Sequence, residues 1–423
     1  MKTTQLFLLV CLMMVLAVPD AGAQFWKKKE KKPVRKRPPV TQPKPAQKIV
    51  KKPKVLDYPP SKIRARYRVD VLAALYLDEL VKDDKADFKN RLPEQAAPGY
   101  YFYEGIKLAA DTLNNLGYNI DVHIHDITQQ GLSPENLIRH KTLLGSDLII
   151  GLVQSEKIPA LAEYARKSKI NFVSALSPSD ADVRNNPFFT IVQPTLRTHC
   201  EQIRKKAMEL HPTASLIMIG NTGNSTDSAA FRYTREGQEK KLKQLYWGVT
   251  ADRNTLEKLL DTGKTNAVII PVISTDVADS ILQQLSDWFP DHRFAIFGMP
   301  SWPGVASIRK QNAFPNMSVM YTAAFNFDNT APAIQALNAH YKSEFGGKPV
   351  EMVYRGYEIL YWSAYLLQKY GTVFNNRLSD TGGAAFTRFD IKPQWTAEND
   401  LLYLENEHVY FYRYQAGSYS IEQ

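Results

Sequence analysis

The chain has 423 residues, 44% of them hydrophobic. That is enough for two or three domains with cores of their own, and it excludes a disulfide-held miniprotein or a wholly disordered chain. The net charge of +10 is unevenly placed: residues 24–68 hold 17 Lys and Arg against two acids, whereas residues 69–423 hold 35 basic and 40 acidic side chains. A mildly acidic body with a basic tail is not a basic nucleic-acid-binding domain, and no nucleic-acid partner is expected physiologically.

Residues 1–23 read as a cleaved secretory signal. Lys2 precedes the apolar run Leu6 to Val18, and Ala21-Gly22-Ala23 stands before Gln24. The run is shorter than the about 20 residues a membrane span needs, so the mature chain is expected in the periplasm, associated with the envelope. From 24 to 68 the sequence is dominated by Lys, Arg and Pro, as in Lys27-Lys28-Lys29, Arg35-Lys36-Arg37 and Lys51-Lys52-Pro53-Lys54. So few apolar side chains cannot offset ordering entropy, which predicts a disordered tether. Its charge suits an anionic envelope surface.

The body alternates apolar runs with helical spacing. Val69 to Leu75 reads as a strand; Phe102, Ile106, Ala109, Leu113 and Leu116 mark a helix that stops at Gly117. Strands follow at 120–125, 147–153, 170–175, 215–219, 267–272 and 294–297, with helices at 159–167, 199–210, 229–245 and 277–288 between them. Near-continuous apolar strands separated by helices predict parallel sheets covered on both faces, and about 355 residues of this suits two α/β lobes. Leu401 to Leu404 and Val409 to Tyr414 read as an antiparallel hairpin closing a sheet edge.

The motifs His-Glu-x-x-His, Cys-x-x-Cys, Gly-x-Ser-x-Gly and Gly-x-Gly-x-x-Gly are all missing, so the sequence points to no enzyme, cofactor or metal. Gly263-Lys264-Thr265 lacks the earlier glycine of a phosphate loop. His123, His125 and Asp126 alternate with Val122 and Ile124 as the outward face of a strand does, with a metal pair as the alternative. Cys200 shares a helical face with Ile203, Ala207 and Leu210 and reads as a buried, inert thiol.

Polar loops at the carboxyl ends of strands remain, where open α/β sheets bind ligands. Ser155 follows one strand; Ala175 and Ser177 follow the next; Asn224 and Ser225, then Ser274 and Thr275, follow two strands in the second half. Each hydroxyl also suits a helix N-cap, but four such loops on two lobes predict a facing cleft.

The order of these segments resembles the type I periplasmic binding proteins, in particular the branched-chain amino-acid receptors. The resemblance is carried by Tyr101-Phe102-Tyr103-Glu104-Gly105-Ile106, by Asp147-Leu148-Ile149-Ile150-Gly151 with Ser155, by Phe172-Val173-Ser174-Ala175 with Ser177, by Asn186-Pro187-Phe188-Phe189-Thr190 and by Tyr354-Arg355-Gly356-Tyr357-Glu358. It implies two doubly wound lobes joined by three crossings, with lobe 1 at 69–194 and 326–384 and lobe 2 at 195–325 and 385–423. It further implies a small polar, amino-acid-like ligand whose carboxylate is held by Ser155, Ala175 and Ser177. Asp276, Glu156 and Asp180 are the candidate acids for an ammonium. The partner so implied is a membrane permease of an ABC transporter. The alternative is an envelope structural or regulatory protein on the same fold, as among activators of cell-wall synthases.

Overall fold

The computed structural model describes residues 56–82, 85–86, 92–310, 313–415 and 417–422. The signal segment and the tether as far as residue 55 lie outside the described residues.

The chain first lays down β1 (Tyr67–Ala73), α1 (Ala97–Asn115), β2 (Ile120–Asp126), α2 (Pro134–Arg139), β3 (Leu148–Leu152), α3 (Ile158–Ser168), β4 (Asn171–Ser174) and β5 (Phe189–Ile191). It then crosses to a second sheet through α4 (Leu196–Leu210), β6 (Leu216–Gly220), α5 (Ser225–Arg235), β7 (Leu242–Tyr246), α6 (Arg253–Glu257), β8 (Thr265–Ile269), α7 (Thr275–Trp288), β9 (Arg293–Gly298) and β10 (Met317–Ala323). It returns for α8 (Pro332–Phe345), α9 (Glu351–Tyr370), β11 (Ile391–Trp395) and β12 (Leu401–Asn406), and crosses a last time to β13 (Tyr410–Gln415) and β14 (Ser418–Glu422). The first sheet has the order β11-β12-β5-β4-β3-β1-β2 and the second β14-β13-β10-β9-β8-β6-β7. Both are mainly parallel, with antiparallel pairing confined to β11/β12, β10/β13 and β13/β14.

Alternation along β1 splits its side chains between two cores. Val69, Val71 and Ala73 face the layer of α1 and α9, while Leu72 packs with Ile149, Leu161 and Phe172 beneath α3. Helices α1 and α9 meet backbone to backbone: a Cβ on Gly105 would stand 2.0 Å from the Val353 carbonyl oxygen, and one on Gly356 2.2 Å from that of Phe102. Only glycine permits that approach.

Three expectations are corrected. The helix foreseen over 229–245 ends at Arg235, where Gly237 takes φ +70°, and residues 242–246 form an edge strand. Leu401–Asn406 and Tyr410–Gln415 do not pair with each other; the first joins β5 and β11 in the first sheet, the second joins β10 and β14 in the other. Residues 391–406 therefore sit in the first lobe, not in a second-lobe segment of 385–423. The stretch 56–66, foreseen as tether, is bound to the first lobe. Ser61 Oγ donates to the Tyr370 carbonyl at 2.6 Å, the Thr372 N–H to the Lys62 carbonyl at 3.1 Å, and Arg64 pairs with Asp147 at 2.8 Å.

Candidate functional site

In each sheet the strand order reverses beside the first strand, β1 between β2 and β3, and β6 between β7 and β8. Loops at the carboxyl ends there open toward a ligand. At the end of β1 the buried Asp126 carboxylate accepts the Leu75 and Leu77 N–H groups at 3.0 and 2.8 Å, which holds the connection to α1 in place. Of the two neighbouring histidines, His125 Nε2 lies 2.7 Å from Asp70 Oδ1, in a buried cluster completed by Arg68 and Ser146. Its partners hold the Asp70 carboxyl down at about 2 against the opposing effect of burial.

The first-lobe residues come together only in part. Ser155 opens a single helical turn before α3, and its Oγ is 3.4 Å from Ser177 Oγ. The Ala175 N–H donates to the Gly151 carbonyl at 2.9 Å, so it continues the sheet rather than facing the cleft. Ser177 Oγ accepts the Ser179 N–H at 3.3 Å. The loop goes on through Ala181 and Asp182, both with left-handed φ.

In the second lobe the loops are bound to a carboxylate of the chain itself. Asp227 is fully buried; its Oδ1 accepts the N–H of Ile273 at 2.7 Å and of Ser274 at 3.2 Å, and its Oδ2 accepts the side-chain amides of Asn221 and Asn224 at 2.7 and 2.8 Å. Asn224 Oδ1 in turn accepts the Asp227 N–H, as the N-cap of α5. Ser274 is the N-cap residue of α7 but contributes no side-chain capping bond, and Thr275 opens that helix, its methyl against Gly304. Asn224-x-x-Asp227 is a capping pair legible in sequence, and it was the missed signal.

Between the lobes lies a cavity of about 380 Å³. Ser179, Asp180 and Tyr403 line it from the first lobe, and Arg197, Ser225, Thr226 and Tyr233 from the second. Of the residues singled out by sequence, Ser225 and Asp180 belong to this lining. Burial first, then the charges of Glu405 and Asp180, push the Tyr403 phenol far above its ordinary value, so it stands on the cavity wall as a neutral hydroxyl. The Arg197 guanidinium lies 4.3 Å over the Tyr233 ring and pairs with Glu236.

The three crossings, at 192–195, 324–327 and 407–409, are tied together, and the first supplies Thr195 to the cavity wall. Arg355 donates to Gln193 Oε1 at 2.8 Å and lies 3.7 Å over the Phe325 ring, so one buried guanidinium holds two crossings. Asn406 Nδ2 donates to the Val192 carbonyl at 3.1 Å, joining the third to the first.

No family model and no curated protein matches the chain. Solved structures do. A candidate branched-chain amino acid ABC transporter protein from Rhodospirillum rubrum matches with TM-score 0.59 and 14% identity, covering 84% of this chain and all of that one. An ABC transporter substrate-binding protein from Desulfitobacterium hafniense, in complex with leucine, matches at 0.50 and 15% over 84% and 100%. The LpoA (YraM) C-domain from Haemophilus influenzae, a regulator of PBP1A, matches at 0.53 and 16% over the same shares. The chain has the type I periplasmic-binding-protein fold. At such identities the likeness establishes that fold, and a fold hosts more than one function. Among the described residues no helix of this periplasmic-binding-protein fold is long and apolar enough to cross a membrane.

Proposed function

We propose that the chain is a non-enzymatic binding protein of the cell envelope that takes a small polar ligand between its two lobes. The observation that carries this is the interlobe cavity, lined by hydroxyls and one charge of each sign, supplied by opposite lobes. Its volume lies within the about 300–1,000 Å³ typical of small-ligand sites. The chemistry it offers is hydrogen bonding and charge pairing, without turnover. Several structural neighbours are ABC transporter substrate-binding proteins, which supports an amino-acid-like ligand and a permease partner. The basic tail would hold the protein at an anionic envelope surface. Each Lys or Arg in contact contributes about 1 kcal/mol, limited by a Debye length of about 8 Å.

A second reading is a regulator of envelope assembly with an empty cleft. Asp227 favours it, because it occupies second-lobe amides that would otherwise face a ligand. The likeness to the LpoA C-domain supports it too.

Thermal unfolding of the mature protein against a panel of small metabolites separates the two. A ligand at a hundredfold excess over its Kd stabilises by about 2.7 kcal/mol, a shift of several degrees. No shift across amino acids, sugars and small carboxylates would favour the regulator. Co-sedimentation with anionic vesicles across a salt series, comparing the mature chain with one starting at Leu56, tests the tail; equal retention of both would rule it out as an anchor.

A further inference from the structure

We propose that the cleft is polarised so that an anionic group of the ligand is received by the second lobe at Arg197, while Asp180 of the first lobe takes a hydrogen-bond donor at the ligand's other end. This rests on the cleft-binding reading above and reverses the orientation implied by the sequence resemblance, in which Ser155, Ala175 and Ser177 hold a carboxylate.

The two walls differ in the charge they present and in which donors are left to face the cavity. In the first lobe the Ala175 N–H is used by Gly151, and the Ser155 and Ser177 hydroxyls, 3.4 Å apart, face each other outside the cavity lining, Ser177 Oγ also accepting the Ser179 N–H. Three residues beyond Ser177, Asp180 lines the cavity beside Tyr403, its carboxylate held within the loop by the Asp182 N–H on Oδ1 at 3.2 Å. An anion seated against this wall would meet a like charge; an ammonium or a hydroxyl would meet an acceptor. In the second lobe Asn224, Ile273 and Ser274 spend their donors on Asp227. What is left there is the Arg197 guanidinium with the hydroxyls of Ser225 and Thr226.

Arg197 is suited to receive an oxyanion. A guanidinium has five N–H donors in a fixed plane, and Glu236 engages Arg197 through Nη1. The Tyr233 ring beneath the plane sets its orientation, and Arg232 lies 5.0 Å from the same ring, which keeps the local potential positive. The ligand class that fits is a small molecule with an oxyanion at one end and a hydroxyl or ammonium at the other. A carboxylate and a phosphate ester share that chemistry.

Titration calorimetry on the mature chain tests this with L-leucine, L-lactate and glycerol 3-phosphate as probes, which also separates carboxylate from phosphate. For the probe that binds, Arg197→Met should weaken affinity at least tenfold and Arg197→Lys should restore part of it. Glu236→Gln should tighten binding several-fold, because it removes the internal competitor for the guanidinium; a merely structural Arg197–Glu236 pair would give no gain. Binding that is unmoved by Arg197→Met and lost tenfold in Ser155→Ala would overturn the polarity and leave the cleft reading standing. No binding by any of the three probes would overturn the polarity, while the cleft reading falls only if the wider metabolite panel also gives no thermal shift.

Discussion

Glu405, on a strand of the first sheet, accepts a 2.8 Å hydrogen bond from the backbone N–H of Thr195, the N-cap of the helix that opens the second lobe. The Thr198 hydroxyl donates to the same carboxylate oxygen. A carboxylate at a helix N-terminus is favourable, and here it joins the lobes beside their first crossing. Glu405→Ala would leave the buried Thr195 N–H unpaired and should cost about 1–3 kcal/mol in urea unfolding. Glu405→Gln keeps an acceptor and should recover most of that. Equal losses in both would show that charge, not the hydrogen bond, holds the junction.

A second buried acid sets a pH dependence. Glu358, on α9, is fully buried; burial outweighs the opposing bond from the Thr387 N–H and the charge of Arg355 and pushes its carboxyl up to about 8. The folded state then keeps a proton that the unfolded state releases near 4.5. Its contribution to stability is full below that pH and is lost as pH rises through about 8, at no more than about 1.4 kcal/mol per pH unit. Glu358→Gln should flatten the stability profile between these limits. A wild-type profile that rises with pH across that window would contradict the assignment.

Asp227 gathers four donors from two loops, so its removal should be felt at both strand ends. Asp227→Ala leaves the Ile273 and Ser274 amides without their acceptor, and a loss of about 3 kcal/mol is expected, since bonds to a charged group are the stronger kind. Faster hydrogen exchange at residues 273 and 274 than in wild type is the local readout. Unchanged exchange there would mean that water substitutes for the carboxylate.

The buried thiol gives a simpler test. Cys200 is fully buried with its Sγ 3.8 Å from Met299 Sδ, and burial pushes its thiol up to about 12. Thiol reagents should label it only as fast as the protein unfolds; rapid labelling in native buffer would contradict this.

How far the sequence carried these results depends on the kind of signal each residue gives. Leu148–Leu152 and Leu216–Gly220 are apolar on both faces, which only a buried parallel strand explains, so the α/β fold was legible. In 242–246 the buried Leu242 and Leu245 are three apart, a helical spacing, and the strand was hidden by it. The apolar and aromatic runs in 401–414 show strands but not their partners, and the two runs joined different sheets. Ser155 and Ser177 stand out in the sequence because they follow strands, but neither lines the cavity. Arg197, Tyr233 and Tyr403 do not stand out, because a wall assembled from residues some 200 positions apart has no local pattern.

The folded body begins ahead of β1. Residues 56–66 run along the amino-terminal ends of the first-sheet strands, with Arg64 on Asp147, Arg66 on Asp121 and the Tyr58 ring 6.0 Å from Phe188. Gly371, at φ +82°, admits this segment: a Cβ there would stand 2.6 Å from Ser61 Oγ and 2.7 Å from the Lys62 carbonyl oxygen. Residues 61–66 are exposed, so what protects this stretch is the hydrogen bonding of its backbone to Thr372. In brief trypsin digestion of a chain starting at Gln24, cleavage at Lys51 and Lys54 should be complete while Lys62 and Arg64 stay uncut. Gly371→Val should expose Lys62 and Arg64 to cleavage and leave the rest of the body resistant. Cleavage at Lys62 and Arg64 in the wild type, at the rate of the tail sites, would show that the segment is not held.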